Sequence, residues 1–130
     1  MDVFLTTQFQ KEFDHYPPGQ QDLVLDFVDI VEEYGLSDFD KLEGKLSPSY
    51  NTDDPEKYDY AFQNGLWHYH IGIPEYRVTH GKYKTSDWVL HFQWFKNKQS
   101  NEIWLLDLYS HYDSQGNFYI PPASYLPNRE

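Results

Sequence analysis

Residues 66–73 read Leu66-Trp67-His68-Tyr69-His70-Ile71-Gly72-Ile73, a run in which aromatic and branched side chains alternate with histidine. In an extended chain successive side chains point to opposite faces, so Trp67, Tyr69 and Ile71 share one face and His68 and His70 the other. The two-residue period fits a half-buried strand and not a helix. Two later stretches keep that period. Trp88 to Lys96 sets His91 and Gln93 against Leu90, Phe92 and Trp94, and Ile103 to Tyr112 sets Tyr109 and His111 against Leu106, Leu108, Ser110 and Tyr112. Asn97 to Asn101, between the last two, is a hairpin-length link and makes that pair antiparallel.

Upstream the period lengthens. Leu23, Phe27, Ile30, Val31 and Tyr34 recur at spacings of three and four, which predicts a helix over 20–34 stopped by Gly35. A shorter helix carrying Phe9 and Phe13 precedes it, capped by Thr6 or Thr7, and Pro17-Pro18-Gly19 turns the two into a hairpin. Val3, Phe4 and Leu5 suit a short first strand. Residues 36–53 read mostly as loop, with a helical turn at Asp40 to Glu43. A third helix is expected from Pro55 to Gln63, with Asp53 or Asp54 as its cap and proline at its first position. Residues 113–130, containing Pro121, Pro122 and Pro127, read as an irregular tail held by Phe118, Tyr119 and Tyr125.

These elements predict one α+β domain over 1–130. A short strand and helices fill 1–65, a sheet fills 66–112, and the N-terminal helical hairpin packs on one face of that C-terminal antiparallel sheet. With 130 residues and an aromatic share of 19%, the core is built largely from Phe, Tyr and Trp.

Composition narrows the chemistry. The absence of cysteine excludes disulfides and thiolate nucleophiles and suits a reducing compartment. No stretch approaches the roughly 20 apolar residues of a membrane span, and Met1-Asp2-Val3-Phe4-Leu5 lacks the basic start of an export signal. The expectation is a cytoplasmic protein with no membrane partner. The net charge of -11 argues against a broad nucleic-acid surface, but the deficit is localised. Residues 1–65 carry 15 Asp/Glu against 4 Lys/Arg, whereas residues 66–112 carry 4 against 5.

That near-neutral middle segment holds His68, His70, His80, His91 and His111 with Arg77, Lys82, Lys84, Lys96 and Lys98. Imidazole shuttles protons near neutral pH, and ammonium or guanidinium offsets charge building on a phosphate. Tyrosine stacks on unpaired bases, and RNA brings its own nucleophile, the 2'-hydroxyl. A sheet with one apolar face and one face of His, Tyr and Gln is suited to handling RNA. Two plainer readings stand beside this one. A strand histidine is often only a polar residue on a half-exposed face, and hairpin lysines such as Lys96 and Lys98 protect a sheet from edge pairing. His68-x-His70, completed by His91 or His111, can instead be a metal site, although no carboxylate stands at a clear ligand spacing and Asp107 offers at most an outer partner.

The stretches Lys84-Thr85-Ser86-Asp87, Leu90-His91-Phe92, Ile103-Trp104-Leu105-Leu106 and His111-Tyr112, set after a helical hairpin, resemble the RelE/ParE superfamily of type II toxin–antitoxin toxins, nearest its YafO-like branch. The resemblance covers roughly residues 66–112, with the helices matching in order only. It implies a RelE-like fold and a ribosome-dependent mRNA endonuclease that needs no metal or other cofactor. The implied partners are a cognate antitoxin, the ribosome and mRNA; the ParE side of the superfamily acts on DNA gyrase instead. It further implies Lys84 as the phosphate cation, with His111 and Tyr112 as acid/base or substrate-orienting groups. His91 joins these as a catalytic candidate, and His68, His70, Arg77, Lys82 and Tyr109 are candidates for binding substrate. An acidic inhibitor or immunity-type protein, which would bind a basic partner through the Asp/Glu-rich stretch from Asp22 to Asp59, is the competing expectation.

Overall fold

A computed structural model describes residues 1–78 and 81–127. Its five-stranded sheet has the order β1-β5-β4-β3-β2, built from β1 (Asp2–Leu5), β2 (Leu46–Pro48), β3 (Leu66–Ile73), β4 (Trp88–Gln93) and β5 (Glu102–Ser110). Three helices accompany it: α1 (Thr7–Phe13), α2 (Pro18–Tyr34) and α3 (Pro55–Gln63). The chain thus runs from a strand through two successive helices to the remaining strands, in the order its hydrophobic periods predict, with α3 between β2 and β3.

The expectation of a purely antiparallel sheet needs correction. β3 pairs antiparallel with both β2 and β4, and β4 with β5, but β1 lies parallel to β5 at the edge, so the sheet is mixed. Parallel pairing requires a crossover, and the chain from α1 through β4 supplies one. β2 is a second correction, because it falls within the segment read as loop.

Local signals account for the helices. The Thr6 hydroxyl accepts the Phe9 N–H at 3.1 Å and caps α1. Asp54 caps α3 by accepting from Glu56 N–H, with Pro55 at the first position. α2 stops at Gly35, whose φ of 71° lies in the left-handed region where a side chain would be strained. Its buried stripe, Val24, Phe27 and Val31, packs on Trp67, Tyr69, Leu90, Phe92, Ile103 and Leu105 of the sheet. Phe27 stacks on Tyr69 with ring centres 4.8 Å apart, and the Tyr69 hydroxyl accepts the Gly44 N–H at 3.1 Å. The helix side of the sheet therefore also fixes the segment leading into β2.

One irregularity shapes the opposite face. The β4–β5 register shifts between His91 and Phe92, which pair with Asp107 and Leu105 and leave Leu106 as the extra residue. Simple alternation assigned Leu106 to the face opposite Tyr109 and His111. At the bulge it packs instead with Ala61 of α3 and Leu66 in a smaller cluster separate from the helix-side core. The tail is irregular, as expected, and its anchors are specific: Tyr119 O–H donates to Asp107 at 2.5 Å, Tyr60 O–H to the Pro121 carbonyl at 2.7 Å and Lys57 Nζ to the Phe118 carbonyl at 2.9 Å. Among the described residues no helix is long and apolar enough to cross a membrane. His80 and the last three residues of the tail lie outside the described residues.

Candidate functional site

Strand register assembles the polar face. His68 of β3 stands opposite His91 of β4, and His91 stands opposite Asp107 of β5, giving a cross-strand row on the face turned away from α2. His70 follows two residues along β3. His111, just beyond β5, is held by its own N–H, which donates to the Asp87 carbonyl at 2.8 Å. The ring centres of His68 and His111 are 5.1 Å apart, those of His70 and His111 5.1 Å, and those of His68 and His70 5.8 Å. Phe118 of the tail closes one side, 5.6 Å from His68 and 5.0 Å from His111.

These three histidines line a cavity of about 290 Å³ together with Lys45, Ser47, Asn51, Thr52, Tyr112 and Phe118. That volume sits at the small end of ligand pockets and accommodates one phosphodiester unit rather than a folded nucleic acid. A larger cavity of about 710 Å³ opens between Gly35–Phe39 and Trp94–Asn101, but no histidine lines it.

Hydrogen bonds fix two of the three rings. The Ser49 hydroxyl lies 2.8 Å from His68 Nδ1. His70 Nδ1 is 3.0 Å from the Ser86 N–H and 2.9 Å from the Ser86 carbonyl. Only one of these can operate at a time: an unprotonated Nδ1 accepts the Ser86 N–H, whereas a protonated one donates to the Ser86 carbonyl and leaves Nε2 with a lone pair. The Nδ1 of His111 is buried and meets no hydrogen-bond partner among the described residues.

Burial is the main force on their protonation. Desolvation holds His68 well below the ordinary imidazole value, with the neighbouring histidines and Lys45 adding to the shift. His70 is lowered for the same leading reason, and His111 is lowered to about 4 by desolvation and then by His70. Neutral imidazoles at pH 7 follow, the form that accepts protons or metal ions.

The sequence candidates divide. His68, His70, His111 and Tyr112 come together on the cavity. His91 does not line it: the ring is fully buried beneath, 6.2 Å from His68 and 5.4 Å from Tyr119, and neither of its nitrogens meets a partner among the described residues. Tyr109 faces a different cavity with Asp107 and Tyr119. The three predicted cations are engaged elsewhere. Arg77 pairs with Asp87, Lys82 with Asp40 at 2.6 Å, and Lys84 with Glu43 at 2.9 Å.

The cation on the cavity is Lys45, which sequence reading passed over. Its backbone N–H donates to the Lys84 carbonyl at 2.8 Å and its carbonyl accepts the His70 N–H at 2.9 Å, so Lys84 positions its neighbour's main chain rather than the cavity. Ser49 and Ser86 were missed too. Lys45-Leu46-Ser47-Pro48-Ser49 alternates polar and apolar residues, and that period would have revealed both a strand and which of its side chains share a face with the histidines.

One ligand-type nitrogen from each of His68, His70 and His111 lies within 4.8 Å of the other two. Of the two imidazoles that the sequence offers to complete the His68-x-His70 pair, the fold brings His111, from the end of β5, and not His91.

Comparison with family models, with curated proteins and with solved structures finds no match to this chain.

Proposed function

We propose that this chain is the toxin of a toxin–antitoxin pair, a RelE-like endoribonuclease that cleaves mRNA on the ribosome and is silenced by an antitoxin. The observation that carries the reading is the convergence of His68, His70, His111, Lys45 and Tyr112 on one cavity of about 290 Å³. The order of strand, helical hairpin and sheet supports it, being the order the resemblance implies.

The residues divide the reaction as follows. The His111 imidazole takes the proton of the RNA 2'-hydroxyl, whose oxygen attacks the adjacent phosphorus. Lys45 stabilises the added negative charge on the phosphoryl oxygens. The phosphorus–O5' bond breaks, the departing 5'-oxygen takes a proton from Tyr112, and the products are a 2',3'-cyclic phosphate and a 5'-hydroxyl. Proton exchange with solvent resets His111 and Tyr112, while His68 and His70 orient the substrate. The phosphate cation is thereby Lys45 and not Lys84, whose ammonium is held by Glu43.

An acidic inhibitor of a basic partner is the second reading, favoured by the exposure of Asp22, Asp26, Asp29, Glu32 and Glu33 along α2. Induced expression separates the two. The toxin reading expects growth arrest with cleaved mRNA, relieved by His111→Ala and by Lys45→Ala at equal protein level. Normal growth on induction of the wild-type chain, or arrest undiminished in both variants, would overturn it.

A further inference from the structure

We infer that His68, His70 and His111 form a binding site for one divalent transition-metal ion of the borderline class, with zinc as the probe ion, leaving an open position toward the cavity. Three observations support this.

The first is geometric. Tetrahedral bonds of about 2.0–2.1 Å set ligand nitrogens about 3.4 Å apart, and the three nitrogens here already lie within 4.8 Å of each other. Small ring rotations close that gap, on a scaffold whose sheet register already fixes two of the residues.

The second lies in the partners behind the rings. A ligating histidine ordinarily uses its other nitrogen on an oxygen atom, which sets the tautomer and aims the lone pair. His68 Nδ1 has the Ser49 hydroxyl at 2.8 Å and His70 Nδ1 the Ser86 carbonyl at 2.9 Å, so both Nε2 atoms are the ones left to ligate.

The third is unmet polarity. His111 Nδ1 is buried with no partner among the described residues, and His91 beneath the trio is 1% exposed with neither nitrogen partnered. Buried polar groups are ordinarily satisfied, and an ion drawn into this cluster would satisfy the first directly.

A neutral three-imidazole set with no carboxylate and no thiolate selects zinc, copper or nickel over magnesium or calcium, which prefer oxygen. Lys45 opposes a cation electrostatically, but its side chain is solvent-exposed and can turn outward. The site thus binds most tightly when Lys45 is turned outward or removed. Metal binding does not depend on RNA cleavage; where both hold, the ion occupies the imidazole that would act as base, and zinc inhibits.

The test is calorimetric titration of the metal-free full chain with zinc, without RNA, beside the visible spectrum of the cobalt-loaded chain. One ion per chain is expected. His68→Gln, His70→Gln and His111→Gln should each weaken binding at least 100-fold, Ser49→Ala about 10–100-fold, and Lys45→Ala should tighten it several-fold. His15→Gln, exposed in the turn just beyond α1, should leave affinity unchanged. Should a histidine variant fail to fold, zinc-induced shifts confined to the imidazole nitrogens of these three residues in the wild-type NMR spectrum serve in its place. Absence of stoichiometric binding, shifts spread over other histidines, or affinity lost equally in His15→Gln would overturn the inference. Growth arrest without zinc binding would sink the metal site alone, and zinc binding without arrest would sink the toxin alone.

Discussion

His91 and Asp107 face each other in register across β4 and β5, yet they do not bond: Asp107 accepts the Tyr119 hydroxyl at 2.5 Å, and His91 has no partner on either nitrogen among the described residues. Both are buried, and burial moves them in opposite directions, Asp107 up to about 6 and His91 down to about 3. Between about pH 4 and 6 the pair therefore carries less charge in the folded protein than it would in water.

His91 makes the fold acid-sensitive. Its folded value of about 3 lies below the ordinary imidazole value of 6.5, so its contribution is fully present above pH 6.5 and is lost as pH falls toward 3. The full span is worth on the order of 5 kcal/mol at one proton per molecule. His91→Phe, which fills the site without buried nitrogens to satisfy, should flatten urea-unfolding stability between pH 6.5 and 4 relative to wild type. An unchanged slope would contradict this assignment.

Asp107 has the opposite sign. Its folded value of about 6 lies above the ordinary 3.8, so its contribution is fully present below pH 3.8 and is lost as pH rises through 6. Desolvation is the leading cause, and the bond from Tyr119 offsets part of it. Asp107→Asn should remove this penalty and raise stability at pH 7.5 by on the order of 3 kcal/mol relative to wild type, with the difference vanishing below about pH 4. Denaturant titrations at both pH values read it.

Cation placement gives a kinetic prediction. On the proposed endoribonuclease reading, Lys45→Ala should lower RNA cleavage by about 100-fold, the scale seen when one preorganised electrostatic group is removed from a reacting centre. Lys84→Ala, which breaks only an exposed pair with Glu43, should change it by less than about threefold. The ordering of the two variants, measured on purified ribosomes with a defined message, is what counts.

A close approach of backbone to backbone tests how β2 is held. A side-chain carbon on Gly44 would fall 1.8 Å from the His70 carbonyl oxygen, so Gly44→Ala must displace the segment that carries Lys45 and should cost more than about 3 kcal/mol. Gly19, in the first turn of α2, meets nothing within 4 Å, and Gly19→Ala should stabilise by about 0.5–1 kcal/mol. Thermal melts of the two variants should therefore move in opposite directions.

Much of the fold was legible because it rests on local rules. The Thr6 and Asp54 caps, the stop at Gly35, α3 from Pro55 to Gln63 and β3 from Leu66 to Ile73 each follow from a few neighbouring residues. The sharing of a face by His68 and His70 did too, since side-chain direction along a strand is a property of the chain itself. The bulge at Leu106 was not legible, because an extra residue in one strand is defined only against its partner. Nor was the parallel pairing of β1 with β5, which depends on where the crossover places the first strand.

Residue chemistry and period by themselves determined the α+β class, the two N-terminal helices, the two-faced sheet and the concentration of histidine on one of its faces. Tertiary structure alone decided which of those histidines meet: it buried His91, brought His111 from the end of β5 over His68 and His70, and set Lys45 rather than Lys84 beside them. The physical reason is that a face is a local property of a strand. A site is instead a relation among strands far apart in the chain, and register, a bulge and one glycine's close approach to His70 settle it.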